Sequence, residues 1–227
     1  MKLFKQETYR EYKSARIYRH ETYEDYKNAQ EICATNGEKN IWISNKEIDL
    51  LTNHMVSNIG GMDFGLCHGV RNGYEVNKLY DKLIETKKVS KDFKLVGTEI
   101  SKFASKYKNV IQWDFHEIKD EWVKKADFIY SNSIDHSYNP RLALSQWFKC
   151  LKPNVGNLYL HWSGPSQLSD DPTPADMFQA GLEDFKKIIL SIDNTHIKEV
   201  FDIPYSSFPG DSNTVHGLKV IVAGIKA

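Results

Sequence analysis

The chain has 227 residues, 41% hydrophobic and 26% charged, with 30 basic side chains against 30 acidic ones. This is ordinary globular composition, and the balanced charge gives no reason to expect nucleic acid or an anionic membrane as a partner. Cys33, Cys67 and Cys150 are widely spaced and form no Cys-x-x-Cys pair, which argues against a disulfide framework or a thiolate zinc site. No apolar run reaches membrane-spanning length and no apolar signal core follows Met1, so a soluble cytoplasmic protein is expected.

Residues 1–54 read as helical. Two related stretches, Glu7-Thr8-Tyr9-Arg10-Glu11-Tyr12-Lys13 and Glu21-Thr22-Tyr23-Glu24-Asp25-Tyr26-Lys27, space their tyrosines at i, i+3, on one helical face. They predict amphipathic helices packed on the domain, or a lid over a pocket. Ser44 followed by Glu47 forms a capping box for a helix carrying Ile48, Leu51 and Met55. From about residue 58 the pattern alternates. Strands are expected at 60–65, 94–98, 109–113, 127–131, 155–161, 198–204 and 216–224. Helices are expected at 73–86, 100–106, 119–124, 140–151 and 174–191. Alternation of this kind indicates βαβ units and a parallel sheet. The last two strands are joined by a loop over 205–215, so the final strand should run antiparallel. The expected division is a helical extension or lid over 1–57 and an α/β domain over 58–227.

Ligands of open α/β sheets bind beyond the carboxyl ends of the strands. The first such position holds Asp63-Phe64-Gly65-Leu66-Cys67-His68-Gly69-Val70-Arg71-Asn72-Gly73. Its glycines allow a tight turn with close backbone approach. The dinucleotide fingerprint Gly-x-Gly-x-x-Gly is absent. The second expected strand ends at Glu99, where a carboxylate can accept both hydroxyls of a ribose. The third ends at Asp114-Phe115, a pair suited to bond an adenine amino group and stack on its ring. Together these positions outline an adenosine site.

In this order the motifs resemble those of class I S-adenosylmethionine-dependent methyltransferases, in the small-molecule branch. Asp63-x-Gly65-x-Cys67-x-Gly69 is similar to that family's first motif, acidic-x-Gly-x-Gly-x-Gly, with Cys67 where glycine is usual. Glu99 matches its ribose acid and Asp114 its adenine acid. The stretch from Asp127 to Pro140 resembles its fourth-strand motif, and Leu144 to Leu160 the helix-turn-strand that follows. The similarity spans about 58–225. It implies a Rossmann-like methyltransferase fold with a mostly parallel seven-stranded sheet, and S-adenosyl-L-methionine as cofactor. The implied cofactor contacts are Asp63, Gly65, Cys67, His68, Gly69, Arg71, Asn72, Glu99, Asp114, Phe115, Ser131 and Asn132.

The resemblance also implies chemistry at Asp135-His136. His136 is a natural base near neutral pH, oriented by Asp135. Some relatives bind a divalent metal with such a pair and the residue three before it, which would make Asn132, Asp135 and His136 a site for Mg or Mn. His161, ending the fifth strand, is the second candidate base. The turn at Ser163-Gly164-Pro165-Ser166 and the segment Asp170-Asp171-Pro172 are expected to border the substrate. The expected reaction is O-methylation of a sugar or other small hydroxyl acceptor. Two other readings stand beside it: a nicotinamide-dependent oxidoreductase on a related sheet, and a non-catalytic binding protein.

Overall fold

A computed structural model describes residues 4–162, 171–203 and 218–227. The elements in chain order are β1 (Arg16–Ile17), α1 (Tyr23–Asn36), α2 (Asn45–Asn58), β2 (Met62–His68), α3 (Tyr74–Thr86), β3 (Val89–Glu99), β4 (Val110–Gln112), β5 (Phe128–Ser131), α4 (Pro140–Cys150), β6 (Asn157–Trp162), β7 (Phe178–Gln179), α5 (Leu182–Leu190), β8 (Thr195–Asp202) and β9 (Lys219–Ile225). The main sheet has seven strands in the order β4-β3-β2-β5-β6-β9-β8. β2 through β6 pair in parallel, and β9 runs antiparallel between β6 and β8. This is the expected mostly parallel α/β sheet with an antiparallel last strand.

The central strands β5 and β6 are buried on both faces, as a parallel sheet flanked by helices requires. Alternate residues serve opposite cores. Leu66, Ile129, Leu158 and Ile221 pack with Trp147, Phe148, Phe185 and Ile188 of α4 and α5. Cys67, Phe128, Tyr130 and Val220 pack with Ile48, Leu51, Val76 and Leu79 of α2 and α3. At the amino end of the sheet the Asp127 carboxylate accepts from the backbone N–H of Asp63 and Phe64 and from Lys152 Nζ.

The expected boundaries need several corrections. Residues 4–22 contain no helix. Only the second tyrosine stretch becomes one, because Thr22 and Asp25 close a reciprocal cap at the start of α1. In the first, Glu11 bonds Arg141 instead, and Tyr9 is buried against α4, accepting from Arg141 N at 2.8 Å. The Ser44–Glu47 capping box forms as expected. The helices expected at 100–106 and 119–124 are short 3-10 turns, Lys102–Lys106 and Asp120–Trp122. The helix expected over 174–191 covers only α5. Residues before it form β7, which pairs with β1, and Ser14 Oγ accepts the N–H of Gly181 at the head of α5. The expected turn at 163–166 and loop at 205–215 lie outside the described residues.

Gly65 sits inside β2 and not in a turn. A Cβ there would lie 2.5 Å from the Phe128 ring and 2.8 Å from Leu95. Gly65→Val should therefore act as an overpacking substitution, destabilising by about 1–3 kcal/mol and lowering the Tm by roughly 2–12 °C for a chain of this size. Thermal unfolding followed by circular dichroism checks this, and an unchanged Tm would contradict the packing described.

Candidate active site

Register sets the site. His68 lies opposite Thr98 on one side and Ser131 on the other, so Gly69, Glu99 and Asn132 leave the sheet at the same carboxyl edge. Gly69 turns the chain with φ 74°, and a Cβ on it would lie 2.4 Å from that of Ser133. Only glycine permits both the left-handed backbone and that approach. Arg71 (φ 41°) and Gly73 (φ 73°) are also left-handed. The turn is therefore Gly69-x-Arg71-x-Gly73, four residues later than the sequence pattern suggested, with arginine at its centre.

That shift corrects four expected cofactor contacts. Asp63 lies exposed at the opposite end of β2, facing Lys152. Gly65 and Cys67 are buried within the strand. His68 is buried too, its Nδ1 against Thr98 Oγ1 and its ring stacked on Trp147. Burial, reinforced by the neighbouring His116, lowers its pKa to about 3, so it is a neutral core side chain. Ser131 spends its hydroxyl on the His68 carbonyl and is also structural. For Asp63, Gly65, Cys67 and His68 the common cause is that β2 runs on to His68, further than expected.

The remaining expected residues do converge. Glu99, buried at the end of β3, accepts from the backbone N–H of Arg71 at 3.0 Å and of Ser101 at 2.9 Å. Asp114 accepts from the backbone N–H and Nδ1 of His116 through one oxygen and from the Tyr23 hydroxyl, at 2.8 Å, through the other. His116 Nε2 faces the buried Ser137 hydroxyl at 2.7 Å, which completes a network fixing the Asp114 carboxylate. Glu99, Asp114 and Phe115 line a pocket of about 40 Å³ together with Tyr26 and Gln30 of α1.

A much larger cavity, about 780 Å³, adjoins it and shares Cys33, Gly69, Arg71, Ser133 and His136 as walls. Its other lining residues include Asn72, Glu75, Asn132, Asp135, His161 and Asp176, with Ile32 and Trp42 as an apolar side. Volumes of this order suit a small-molecule or cofactor site. His136 donates Nδ1–H to the Ala175 carbonyl at 2.9 Å. A carbonyl can only accept, so the proton sits on Nδ1 and the neutral ring would carry its lone pair on Nε2. Asp176 lies 3.6 Å from the same Nδ1. His161 is 6% exposed; burial lowers its pKa to about 4, and its Nε2 has no hydrogen-bond partner among the described residues.

Of the expected metal ligands, Asn132, Asp135 and His136 all line the cavity. Asp135, His136 and Asp176 each offer a ligand atom within 4.8 Å of the others. The Asn132 amide donates to Glu75 at 3.4 Å and accepts from Ser133 Oγ. The sequence reading missed Asp176, Glu75, Trp42 and Cys33, which reach the cavity from loops and helices whose placement no local pattern encodes.

No family model and no curated protein matches the sequence. Solved structures do match the chain. The fold is that of the class I methyltransferases. 1,6-Didemethyltoxoflavin-N1-methyltransferase of Burkholderia thailandensis, solved with S-adenosylhomocysteine, superposes with a TM-score of 0.64 at 9% identity, covering 92% of this chain and 93% of its own. The N-methyltransferase NodS of Bradyrhizobium japonicum, also solved with S-adenosylhomocysteine, gives 0.57 at 13% identity, covering 87% and 98%. A Rhodobacter sphaeroides chain named as a Zn-dependent alcohol dehydrogenase gives 0.59 at 10% identity, covering 89% and 98%. At such identities the likeness concerns architecture, and chemistry has to be argued from the site.

The sheet edge gathers a glycine turn, the Glu99 and Asp114 carboxylates and an adjoining cavity. α1 closes over the two acids, with Tyr23 bonded to Asp114 and Tyr26 and Gln30 lining the small pocket beside them. Removing the Tyr23 hydroxyl, which ties α1 to Asp114, should loosen that helix. Tyr23→Phe is expected to raise hydrogen-exchange rates of α1 amides about fivefold, corresponding to a lost hydrogen bond of roughly 1 kcal/mol. Unchanged exchange across 23–36 would show that the bond does not hold the helix.

Proposed function

We propose that the protein is an S-adenosylmethionine-dependent methyltransferase acting on a hydroxyl of a small polar acceptor, such as a sugar. One observation carries this reading. The left-handed Gly69 turn, Glu99 and Asp114 stand at the carboxyl ends of successive strands of a Rossmann-like sheet, the two acids lining a small pocket that shares the Gly69 turn with a 780 Å³ cavity. Glu99 would accept the ribose hydroxyls and Asp114 the adenine amino group. Residues 23–36 then act as a lid that must move for the nucleoside to enter.

When bound, the cofactor supplies a methyl group already activated on a sulfonium. The chain's own task is to align the acceptor and hold its proton. His136 suits that task, since its Nδ1–H is committed to Ala175 and its Nε2 retains a lone pair. Asp176, close to Nδ1, would stabilise the imidazolium that forms. Asp135, His136 and Asp176 would also suit a divalent cation through oxygen and nitrogen ligands. Methylation of nitrogen is the second reading, favoured by the names of two structural neighbours. A nicotinamide reading has one neighbour's name behind it, but the β2 turn carries Gly69 and Gly73 four apart and no Gly-x-Gly-x-x-Gly.

Isothermal titration with S-adenosylmethionine, with NADH run in parallel, tests the cofactor. Glu99→Ala should weaken S-adenosylmethionine binding at least about tenfold, the effect of losing hydrogen bonds to a charged acceptor worth roughly 1.5–3 kcal/mol. Binding of NADH alone would reverse the assignment. An equal dissociation constant in a folded Glu99→Ala variant would remove Glu99 from the site.

His136→Ala should cut turnover with a hydroxyl acceptor by about 10²–10⁴, the usual contribution of a general base, while cofactor affinity stays near wild type. Formation of S-adenosylhomocysteine reads the rate. Near-normal turnover would transfer the role to His161, and loss of activity on chelation, restored by Mg²⁺ or Mn²⁺, would add the metal.

A further inference from the structure

We infer that Glu75 is the counter-charge for an organic cation bound in the large cavity. Resting on the reading above, that cation is one of the two positive centres of S-adenosylmethionine, its α-ammonium or its sulfonium.

Glu75 is the second residue of α3 and lines the cavity at 6% exposure. One carboxylate oxygen receives Asn132 Nδ2 at 3.4 Å. The other, Oε2, is buried with no hydrogen-bond partner among the described residues. A buried carboxylate oxygen left unpaired is costly, so the position calls for a donor from outside the chain. Arg71 stands nearby but does not pair with it. Its guanidinium points toward the Gly37 carbonyl and Cys33 Sγ and lies 6.0 Å from the Trp42 ring centre.

The surroundings favour a positive ligand. Glu75, Asp135 and Asp176 line the cavity, against Arg71 as the lysine or arginine among its described walls. Fields of one sign in a partly closed cavity raise the local concentration of the opposite charge. The groups acting on Glu75 itself are mixed. Burial and the Glu99 charge push its carboxyl pKa up, while its own backbone bond, Asn132 and Arg71 pull it down, and the net direction is upward. The amino end of α3 also favours the anion. A cation against Oε2 would lower the pKa again and release any proton held there.

Calorimetric titration of wild type and Glu75→Gln with S-adenosylmethionine and with S-adenosylhomocysteine tests the inference. The two ligands share the ammonium, and only the first carries the sulfonium. Glutamine keeps the shape and the Asn132 contact but not the charge. An affinity loss of about tenfold or more for both ligands supports the inference and identifies the ammonium. A loss confined to S-adenosylmethionine supports it and identifies the sulfonium. Unchanged affinity for both overturns the inference while leaving the cofactor reading intact. No binding by wild type to either ligand overturns the cofactor reading and the inference with it. Should Glu75→Gln fail to fold, Glu75→Asp, which keeps the charge but withdraws it by one methylene, replaces it in the same titrations and is read by the same outcomes.

Discussion

The contact between Gly69 and Ser133 is the constraint on which the site rests. No side chain fits between the two loops, whose backbones are tied by Ser133 Oγ donating to the Gly69 carbonyl at 3.0 Å. That approach fixes the spacing of the β2 and β5 ends. The backbone N–H groups of Gly69 and Val70 are bonded to the Thr98 carbonyl, and that of Arg71 to Glu99, so the β3 end is locked to the same turn. One left-handed glycine thus sets the geometry of three strand ends. Asp114, from the fourth, is held separately by His116 and Ser137.

This arrangement explains why the candidate side chains are so well supported before any ligand is present. Glu99 and Asp114 use backbone and side-chain donors that satisfy part of each carboxylate, as buried acids require. A site built this way is preorganised in direction but closed in volume. The closing element is a helix tied by side-chain bonds, Tyr23 to Asp114 and Gln30 to the Ala175 carbonyl, and by aromatic packing of Tyr26 against Tyr138 and His116. It lies outside the central sheet, so it can give way without cost to the sheet's register.

The sheet was legible in the sequence because burial on both faces demands continuous apolar strands, and alternation with helices leaves little choice of architecture. Glu99 and Asp114 were legible because each ends a strand, and strand ends face ligands. The first motif was misplaced for a physical reason. Gly65 looked like a turn glycine, but it is a strand residue whose missing side chain lets the Phe128 ring pack against the backbone. Glycine marks close approach, and the sequence does not say whether a turn or a neighbouring ring makes it. Arg71 hid the true turn, since a left-handed arginine carries no local signature. The first tyrosine stretch failed similarly: its spacing suits a helix, but Glu11 and Tyr9 find Arg141, a partner 130 or more positions away, and tertiary bonds prevail over local pattern. Asp176 and Glu75 became visible only once the fold brought a loop and a helix terminus to one cavity.

The two ends of the site therefore face a ligand differently. At the nucleoside end, the protein has already supplied partners from its own α1, and a ligand must exchange bond for bond: an adenine amino group for the Tyr23 hydroxyl at Asp114, aromatic faces for the Tyr26 ring. The net gain of such exchange is small, because each bond gained replaces one lost. At the cavity end, Glu75 Oε2 and His161 Nε2 have no partners among the described residues to surrender, so a donor reaching them meets no competing protein bond. Affinity should then be generated mainly over the cavity, and the nucleoside end should serve selection, admitting a ligand whose shape and donors match what α1 provides. On the proposed reading, the closed helix and the unpaired buried groups act together: binding at the open end would supply the free energy that displaces the helix at the other.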